Sequence, residues 1–285
     1  MIHLKRKYLF LVFCLPFLFN RCGLGEPQIP SYIYIDTFSL SCDLSSQGFN
    51  SQKITDGWVY VNNKTIGVFQ LPALVPVLDT GNLEIIISPG IKDNGIQVFG
   101  KVYPFYTSHK TTMHLSAEQT DTIYPATTYY STGLTYIIDR FETGNIFSPA
   151  VNSDTSFVEL TDPAEVFEGS RSMQATLEGN NYFFRAGTFD LILPDDGSNV
   201  YLEMDYKNDT QFEVWVTGNL LGSQYPEYVI TLTPKDTWNK IYVNIGNIIR
   251  LIQTETYSIE LRMARPASAI SATLSIDNVK IISEN

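Results

Sequence analysis

Residues 211–217 read "QFEVWVT", and this stretch indicates the structural class of the chain. Apolar residues occupy its even positions, whereas Glu213 and Trp215 occupy odd ones. Successive side chains of a β-strand point to opposite faces, so the pattern predicts a strand with one face toward a core. The other face carries a charge, which favours solvent and makes Trp215 an exposed aromatic side chain.

Similar short stretches surround this one. Between residues 136 and 285 roughly ten apolar segments follow each other at close spacing, each bounded by Gly, Asn, Asp or Pro. Only "NIGNIIRLI" (residues 244–252) has room for a short helical turn. The pattern is typical of a β-sandwich or jelly roll, which we predict for residues 136–285.

A second β-rich region precedes it. "SYIYIDTFSL" (residues 31–40) alternates with period two. Asn62 and Asn63 separate two β-rich runs and tolerate a positive φ, which predicts a tight hairpin turn. Alternation weakens over residues 124–136, so we place a domain boundary near residue 135 and predict a β-sandwich over residues 32–135.

Two resemblances follow from these segments. The hairpin "VYVNNKTIG" (residues 59–67), followed by a Pro-containing loop and a strand from Gly81 to Ile87, resembles PEGA-like or Ig-like β-sandwich modules of bacterial surface proteins. The opening "DRFETG" (residues 139–144), the segment "WNKIYVNIG" and the terminal "IDNVKII" resemble galactose-binding-domain-like jelly rolls, a superfold that includes many carbohydrate-binding modules. The predicted class is therefore all-β, with two β-sandwich domains after a signal peptide.

The N-terminus has the features of a secretory leader. Three basic residues, 5–7, precede a run of apolar residues from Tyr8 to Phe19. Twelve helical residues reach roughly 18 Å, which is short for a membrane span and suitable for a signal peptide. Cys22 follows the run, and the segment resembles a lipoprotein signal peptide of Gram-negative bacteria.

We therefore predict a lipoprotein signal peptide over residues 1–21, acylation of Cys22, and a tether over residues 22–31. The predicted location is the cell envelope, lipid-anchored in the outer membrane and facing the periplasm or the cell surface. The alternative is an ordinary signal-peptidase cut after Gly25, which would leave a soluble secreted protein.

Charge and cysteine content exclude some function classes. The chain has a net charge of −11, and loss of the four basic residues in segment 1–21 makes it −15. A surface this acidic is repelled by phosphate backbones, so we predict no nucleic-acid partner, and membrane attachment must come from the acyl group. Besides Cys22 only Cys42 follows the leader, so no disulfide framework is expected, and Cys42 is interpreted as a small buried hydrophobe.

The resemblance to jelly rolls implies two possible sites. Many of them hold a structural calcium ion where the first and last strands meet, and Glu142 and Asp277 match the usual positions of its carboxylate ligands. Glycan-binding members stack sugars on exposed aromatic rings beside polar groups. Trp215, Tyr182 and Glu213 are the candidates for such a site, whereas Trp238 is predicted to cap the core.

The sequence lacks the common catalytic motifs, such as Cys-x-x-Cys, His-Glu-x-x-His and Gly-x-Ser-x-Gly, so we predict a non-catalytic protein with no cofactor beyond possible calcium. The favoured function is a membrane-anchored component of a cell-surface assembly that contacts a protein partner. The alternative is a glycan-binding lipoprotein of a carbohydrate uptake system, which requires an aromatic platform around Trp215. A hydrolase would require a cleft with two close carboxylates.

Overall fold

The computed structural model describes residues 28–96 and 100–285, and it is nearly all β-strand. The all-β prediction is thereby confirmed. The predicted leader, Cys22 and most of the predicted tether lie outside the described residues. Among the described residues, no helix has the length and apolar character that a membrane crossing requires.

The first ten strands form the part of the structure that we call the N-module. They build a three-stranded sheet (β5-β1-β9), a two-stranded sheet (β10-β2) and a five-stranded sheet (β4-β3-β6-β7, with β8 beside β6). Their bounds are β1 (Ser31–Ile35), β2 (Ser39–Ser41), β3 (Asp56–Val61), β4 (Lys64–Gln70), β5 (Ala73–Val77), β6 (Gly81–Ile91), β7 (Lys101–Val102), β8 (His109–Leu115), β9 (Thr120–Ile123) and β10 (Ala126–Thr128).

The remaining eleven strands and one helix form the C-module. The strands build two sheets that pack face to face: an inner sheet (β13-β14-β21-β16-β19, with β11 beside β21) and an outer sheet (β12-β15-β20-β17-β18). Their bounds are β11 (Leu134–Asp139), β12 (Phe147–Pro149), β13 (Val158–Leu160), β14 (Ser172–Glu178), β15 (Phe183–Thr188), β16 (Val200–Asn208), β17 (Phe212–Leu220), β18 (Ser223–Leu232), β19 (Lys235–Asn244), α1 (Gly246–Ile252), β20 (Thr256–Ala264) and β21 (Ser271–Glu284).

Local sequence explains the hairpin between β3 and β4. Asn62 and Asn63 have φ angles of +47° and +62°, the left-handed conformation that asparagine tolerates better than most residues. The two strands pair in antiparallel register on either side of this turn. The tight turn predicted at this position is therefore confirmed.

Each module has its own hydrophobic core, but the two cores are not independent. Tyr201, Tyr242 and Ile282 belong to strands of the inner sheet, yet they pack into the hydrophobic cluster of the N-module. The ring of Tyr103 lies 5.2 Å from the ring of Tyr201 and 4.9 Å from that of Tyr242. The inner sheet is thus apolar on both faces at this end, with the N-module covering the face that points away from the core of the C-module.

A buried polar cluster continues this contact. Glu203 on β16 is fully buried and accepts hydrogen bonds from the hydroxyls of Tyr103, at 2.7 Å, and Tyr129, at 3.0 Å. The ammonium of Lys240 lies 3.2 Å from the same carboxylate. Lys280 donates to the hydroxyl of Tyr129 at 3.0 Å. The N-module therefore supplies two tyrosine hydroxyls to this cluster: both donate to the Glu203 carboxylate, and that of Tyr129 also accepts a hydrogen bond from Lys280.

Electrostatics keep this cluster charged. Burial raises the pKa of Glu203, but Lys240, Lys280 and the tyrosine donors outweigh that effect and hold the pKa below its usual range. Burial lowers the pKa of Lys280 to about 8, while nearby carboxylates oppose that decrease. Because a buried charge is costly without partners, the cluster depends on the modules staying together.

Candidate functional site

The side of the outer sheet that faces away from the core carries the strongest candidate site. Inward residues of β17, such as Val214 and Val216, are fully buried, whereas Glu213 and Trp215 are partly exposed, as the alternation predicts. Outward positions of the neighbouring strands carry charged and aromatic groups. We call the outward set the outer-sheet face; it comprises Arg185, Glu213, Trp215, Thr217, Tyr228, Glu260 and Arg262.

A charge network forms the floor of the outer-sheet face. Arg185 donates from Nε and Nη2 to both carboxylate oxygens of Glu260, at 2.8 and 2.7 Å. Arg262 donates from Nε and Nη2 to Oε2 of Glu260, at 2.8 and 2.6 Å, and the Thr217 hydroxyl donates to Oε1 at 2.7 Å. Bidentate contacts of this kind fix guanidinium orientation, so both arginines are held in place on the sheet.

The carboxylate of Glu260 is ionised in this setting. It is only 4% exposed, and burial by itself raises its pKa. Hydrogen bonds from Arg185, Thr217 and Arg262 outweigh burial and hold the pKa below its usual range. The floor therefore combines one anion with two cations and presents polar groups in fixed positions.

Aromatic rings stand beside this floor. The indole nitrogen of Trp215 donates to Glu213 Oε2 at 2.7 Å, which orients the ring. The Tyr228 ring meets Trp215 edge to face, with centroids 5.7 Å apart, and Tyr228 is 45% exposed. The guanidinium carbon of Arg262 lies 4.0 Å from the Trp215 ring centroid, a cation–π contact that covers one part of the indole. Trp215 itself stays partly open to solvent.

Two depressions flank this arrangement. One has a volume of about 480 Å³ and is lined by Asn152, Arg185, Gln224 and Glu260 among others. Its lining extends from the loop after β12 to β18, and these two strands are the opposite edges of the outer sheet. The other, of about 280 Å³, is lined in part by Glu213 and Arg262. The face is thus a broad recessed surface rather than a deep pocket.

Such a surface suits a ligand that has both apolar faces and many hydroxyls. Aromatic rings bury the C–H faces of such a ligand, and fixed guanidinium, carboxylate and hydroxyl groups exchange hydrogen bonds with its hydroxyls. Sugars have this combination of features.

The structure separates the other predicted site residues from this face. Tyr182 is 51% exposed and lies just before β15, where the guanidinium carbon of Arg265 is 4.3 Å from its ring centroid. Trp238, which we expected before a strand as a core cap, lies inside β19 instead. Its ring packs against Phe167, with centroids 5.4 Å apart, and against Lys207. Trp238 lies two residues before Lys240 in β19, so both side chains are on the side of the inner sheet that points away from the core.

The predicted calcium ligands engage protein donors. Glu142 accepts hydrogen bonds from the backbone N–H and the hydroxyl of Ser170. Asp277 accepts from the Ser172 hydroxyl at 2.7 Å and from the Glu168 backbone at 3.2 Å, and burial raises its pKa to about 7. Calcium prefers several ionised oxygen ligands. Among residues 28–96 and 100–285 no group of three or more His, Cys, Asp or Glu is placed to hold a metal ion, and calcium binding at Glu142 and Asp277 stays a prediction.

Sequence reasoning missed five members of the face: Arg185, Thr217, Tyr228, Glu260 and Arg262. A signal for three of them was present, because "YFFRA" and "YSIELRMAR" place the charged residues at positions that alternate with apolar ones. The odd or even position of a residue along its strand is enough to assign it to the outward face. It does not show which outward residues of different strands become neighbours, since that depends on strand order.

Comparisons with known proteins concern about half of the chain. No family model and no curated protein matches it. The chain is similar to the family 11 carbohydrate-binding module from Clostridium thermocellum in complex with a β-1,3-1,4-mixed-linked tetrasaccharide, with 12% identity, coverage of 53% of this chain and 96% of the module, and a TM-score of 0.37.

Two further solved structures are a point mutant of a family 29 carbohydrate-binding module (13% identity, 52% and 85% coverage, TM-score 0.34) and the K1 cleaved adhesin domain of Lys-gingipain from Porphyromonas gingivalis W83 (14% identity, 52% and 97% coverage, TM-score 0.38). At these identities and TM-scores the likeness carries no argument about the ligand or the function of this chain. The lipoprotein and PEGA-like resemblances stay predictions.

Proposed function

We propose that this protein binds glycans non-catalytically on the outer-sheet face. The observation that supports the proposal is the pairing of Trp215 and Tyr228 beside the fixed Arg185–Glu260–Arg262 network on a recessed, solvent-facing sheet. An aromatic platform at Trp215 is what glycan binding requires and a protein-contact role does not. Glycan binding is therefore favoured over the protein-contact function that the sequence first indicated.

A binding role is also favoured over hydrolysis. Glu203 and Asp205, two carboxylates on β16, are buried under the N-module and are 0% and 1% exposed. Glu260 on the outer-sheet face is held ionised between two arginines, so it is unsuited to donate a proton. Hydrolysis of a glycoside needs a proton donor and a second carboxylate across an open cleft.

The proposal includes membrane attachment. Acylation of Cys22 would hold the glycan-binding module at the outer membrane, where captured sugar could be passed to an uptake system. Intact mass and cell fractionation of the full chain and a Cys22→Ala variant test this part. Acyl mass and membrane recovery for the wild type, and release of the variant, are expected.

The glycan proposal is tested by calorimetric titration with cello-, xylo- and manno-oligosaccharides and a mixed-linked β-glucan tetrasaccharide. Removal of a ring that buries against sugar costs roughly 1.5–3 kcal/mol, so Trp215→Ala should weaken the best binder about 10- to 100-fold. Trp58→Phe is the matched control, because Trp58 lies in the N-module and donates to the Gly100 carbonyl. Equal binding by wild type and Trp215→Ala would refute the site.

A further inference from the structure

The three-stranded sheet of the N-module has an outward face with an unusual composition. Its inward residues, such as Ile33 and Val75, are fully buried. Across the outward side, Tyr32 pairs with Pro76 and Thr120, and the next row pairs Tyr34 with Leu74 and Thr122. We call this set the N-sheet face; it comprises Tyr32, Tyr34, Leu74, Pro76, Thr120 and Thr122.

No member of the N-sheet face is charged, although the chain carries 30 acidic residues and a net charge of −11. Apolar side chains continue past the strand ends: Leu78 after β5 is 58% exposed and Tyr124 after β9 is 74% exposed. Within the face, Leu74 is 56% exposed. Contiguous exposed apolar surface of this kind usually marks an interaction surface.

The position of the face indicates its partner. Its central strand, β1, begins at Ser31, nine residues after Cys22. Nine extended residues span at most about 32 Å, so an acyl group on Cys22 would keep this sheet within that distance of the bilayer. Tyrosine favours the membrane–water interface because its ring is apolar and its hydroxyl stays hydrated. An uncharged face also avoids the cost of desolvating ions at a lipid surface.

We propose that the N-sheet face lies against the headgroup region of a membrane of zwitterionic lipid. Acidic surface is repelled by anionic lipid, whereas the N-sheet face itself carries no charge, so it is suited to contact with zwitterionic lipid. The proposal rests on acylation of Cys22 and is independent of glycan binding. A second copy of the chain is the competing occupant, since β5 and β9 are the edges of their sheet.

The test uses the full chain in phosphatidylcholine vesicles with one reporter cysteine. Thr122→Cys places a polarity-sensitive fluorophore on the N-sheet face, and Ser223→Cys places it on an exposed site at the β17–β18 turn of the C-module. Cys42→Ser in both proteins removes the other thiol, whose hydrogen bond to the Gly48 carbonyl a serine can replace. Brominated phosphatidylcholine quenches only fluorophores that contact lipid.

We expect loss of fluorescence at position 122, no loss at position 223, and restoration at position 122 when Tyr34→Glu and Leu74→Glu are added. Replacing the vesicles with anionic phosphatidylglycerol should reduce the quenching. Equal signals with and without bromine at position 122 would overturn the proposal. The proposal would also be overturned if, without lipid, the fluorophore at position 122 is shielded from solvent and light scattering gives the mass of a dimer. Intact mass of each sample shows whether a negative result comes from a missing acyl group or from a face that does not dock.

Discussion

Replacing Glu203 by Gln tests whether the buried cluster holds the two modules together. The substitution keeps the size of the side chain but removes the anion that faces Lys240 at 3.2 Å. Asp205, at 3.8 Å, is then the carboxylate that still pairs with Lys240, and Lys280 also loses a neighbouring negative charge. Removing one partner of a buried ion pair costs about 3–5 kcal/mol, because the other charge stays buried without compensation.

Urea unfolding followed by tryptophan fluorescence measures this effect. With an m-value of about 3 kcal/mol per M, a loss of about 3–5 kcal/mol lowers the unfolding midpoint by roughly 1–1.7 M. The matched control is Glu159→Gln, which breaks the exposed pair with Arg171, whose side chains are 49% and 39% exposed. An exposed pair contributes less than about 1 kcal/mol, so the control midpoint should move by under about 0.3 M.

Equal midpoint shifts for Glu203→Gln and Glu159→Gln would refute the reasoning. A second variant separates charge from packing: adding Lys240→Met to Glu203→Gln removes the uncompensated ammonium and should recover part of the lost stability. If the double variant is less stable than the sum of the two single effects predicts, charge compensation is not what Glu203 provides.

Three further predictions concern single side chains. Tyr103→Phe removes the 2.7 Å hydrogen bond to Glu203 and should lower the free energy of unfolding by about 1–3 kcal/mol in the same urea assay, and an unchanged midpoint would contradict it. Asp277 has a raised pKa of about 7, so the folded state binds more protons than the unfolded state between about pH 4 and pH 7. The free energy of unfolding should therefore fall as pH rises through that window, and Asp277→Asn should flatten the fall. Thermal melts at several pH values measure both effects. Glu260→Gln leaves the Arg185 and Arg262 guanidiniums without their shared anion, so glycan affinity should drop in the calorimetric titration. If the variant binds glycan as tightly as the wild type, the network does not take part in binding.

The sequence predicted the class of fold well because alternation and turn chemistry are local. Asn62 and Asn63 form the predicted turn with positive φ, and "NIGNIIRLI" contains the short helix α1. Trp215 and Glu213 lie on the outward side of β17, where period-two alternation placed them. Each of these features depends on a few neighbouring residues, so no knowledge of tertiary contacts was needed.

The sequence failed where a second element covers an outward face. Glu203 and Lys240 occupy positions that alternate with apolar residues, which predicts exposure, yet both are buried because the N-module packs on that side of the inner sheet. The Arg185–Glu260–Arg262 network was missed for a related reason. Its members come from two strands that are distant in sequence, and only the antiparallel register of β15 with β20 brings them together.

The most direct test of glycan binding at the outer-sheet face is the set of indole N–H signals in a ¹H–¹⁵N correlation spectrum. The chain has three tryptophans, Trp58, Trp215 and Trp238, whose signals are assigned by single Trp→Phe substitutions. Titration with the same oligosaccharide panel should shift the Trp215 signal in a saturable way and leave those of Trp58 and Trp238 in place. Saturable shifts at Trp238 or Trp58 alone, or no shift with any glycan of the panel, would contradict glycan binding at this face.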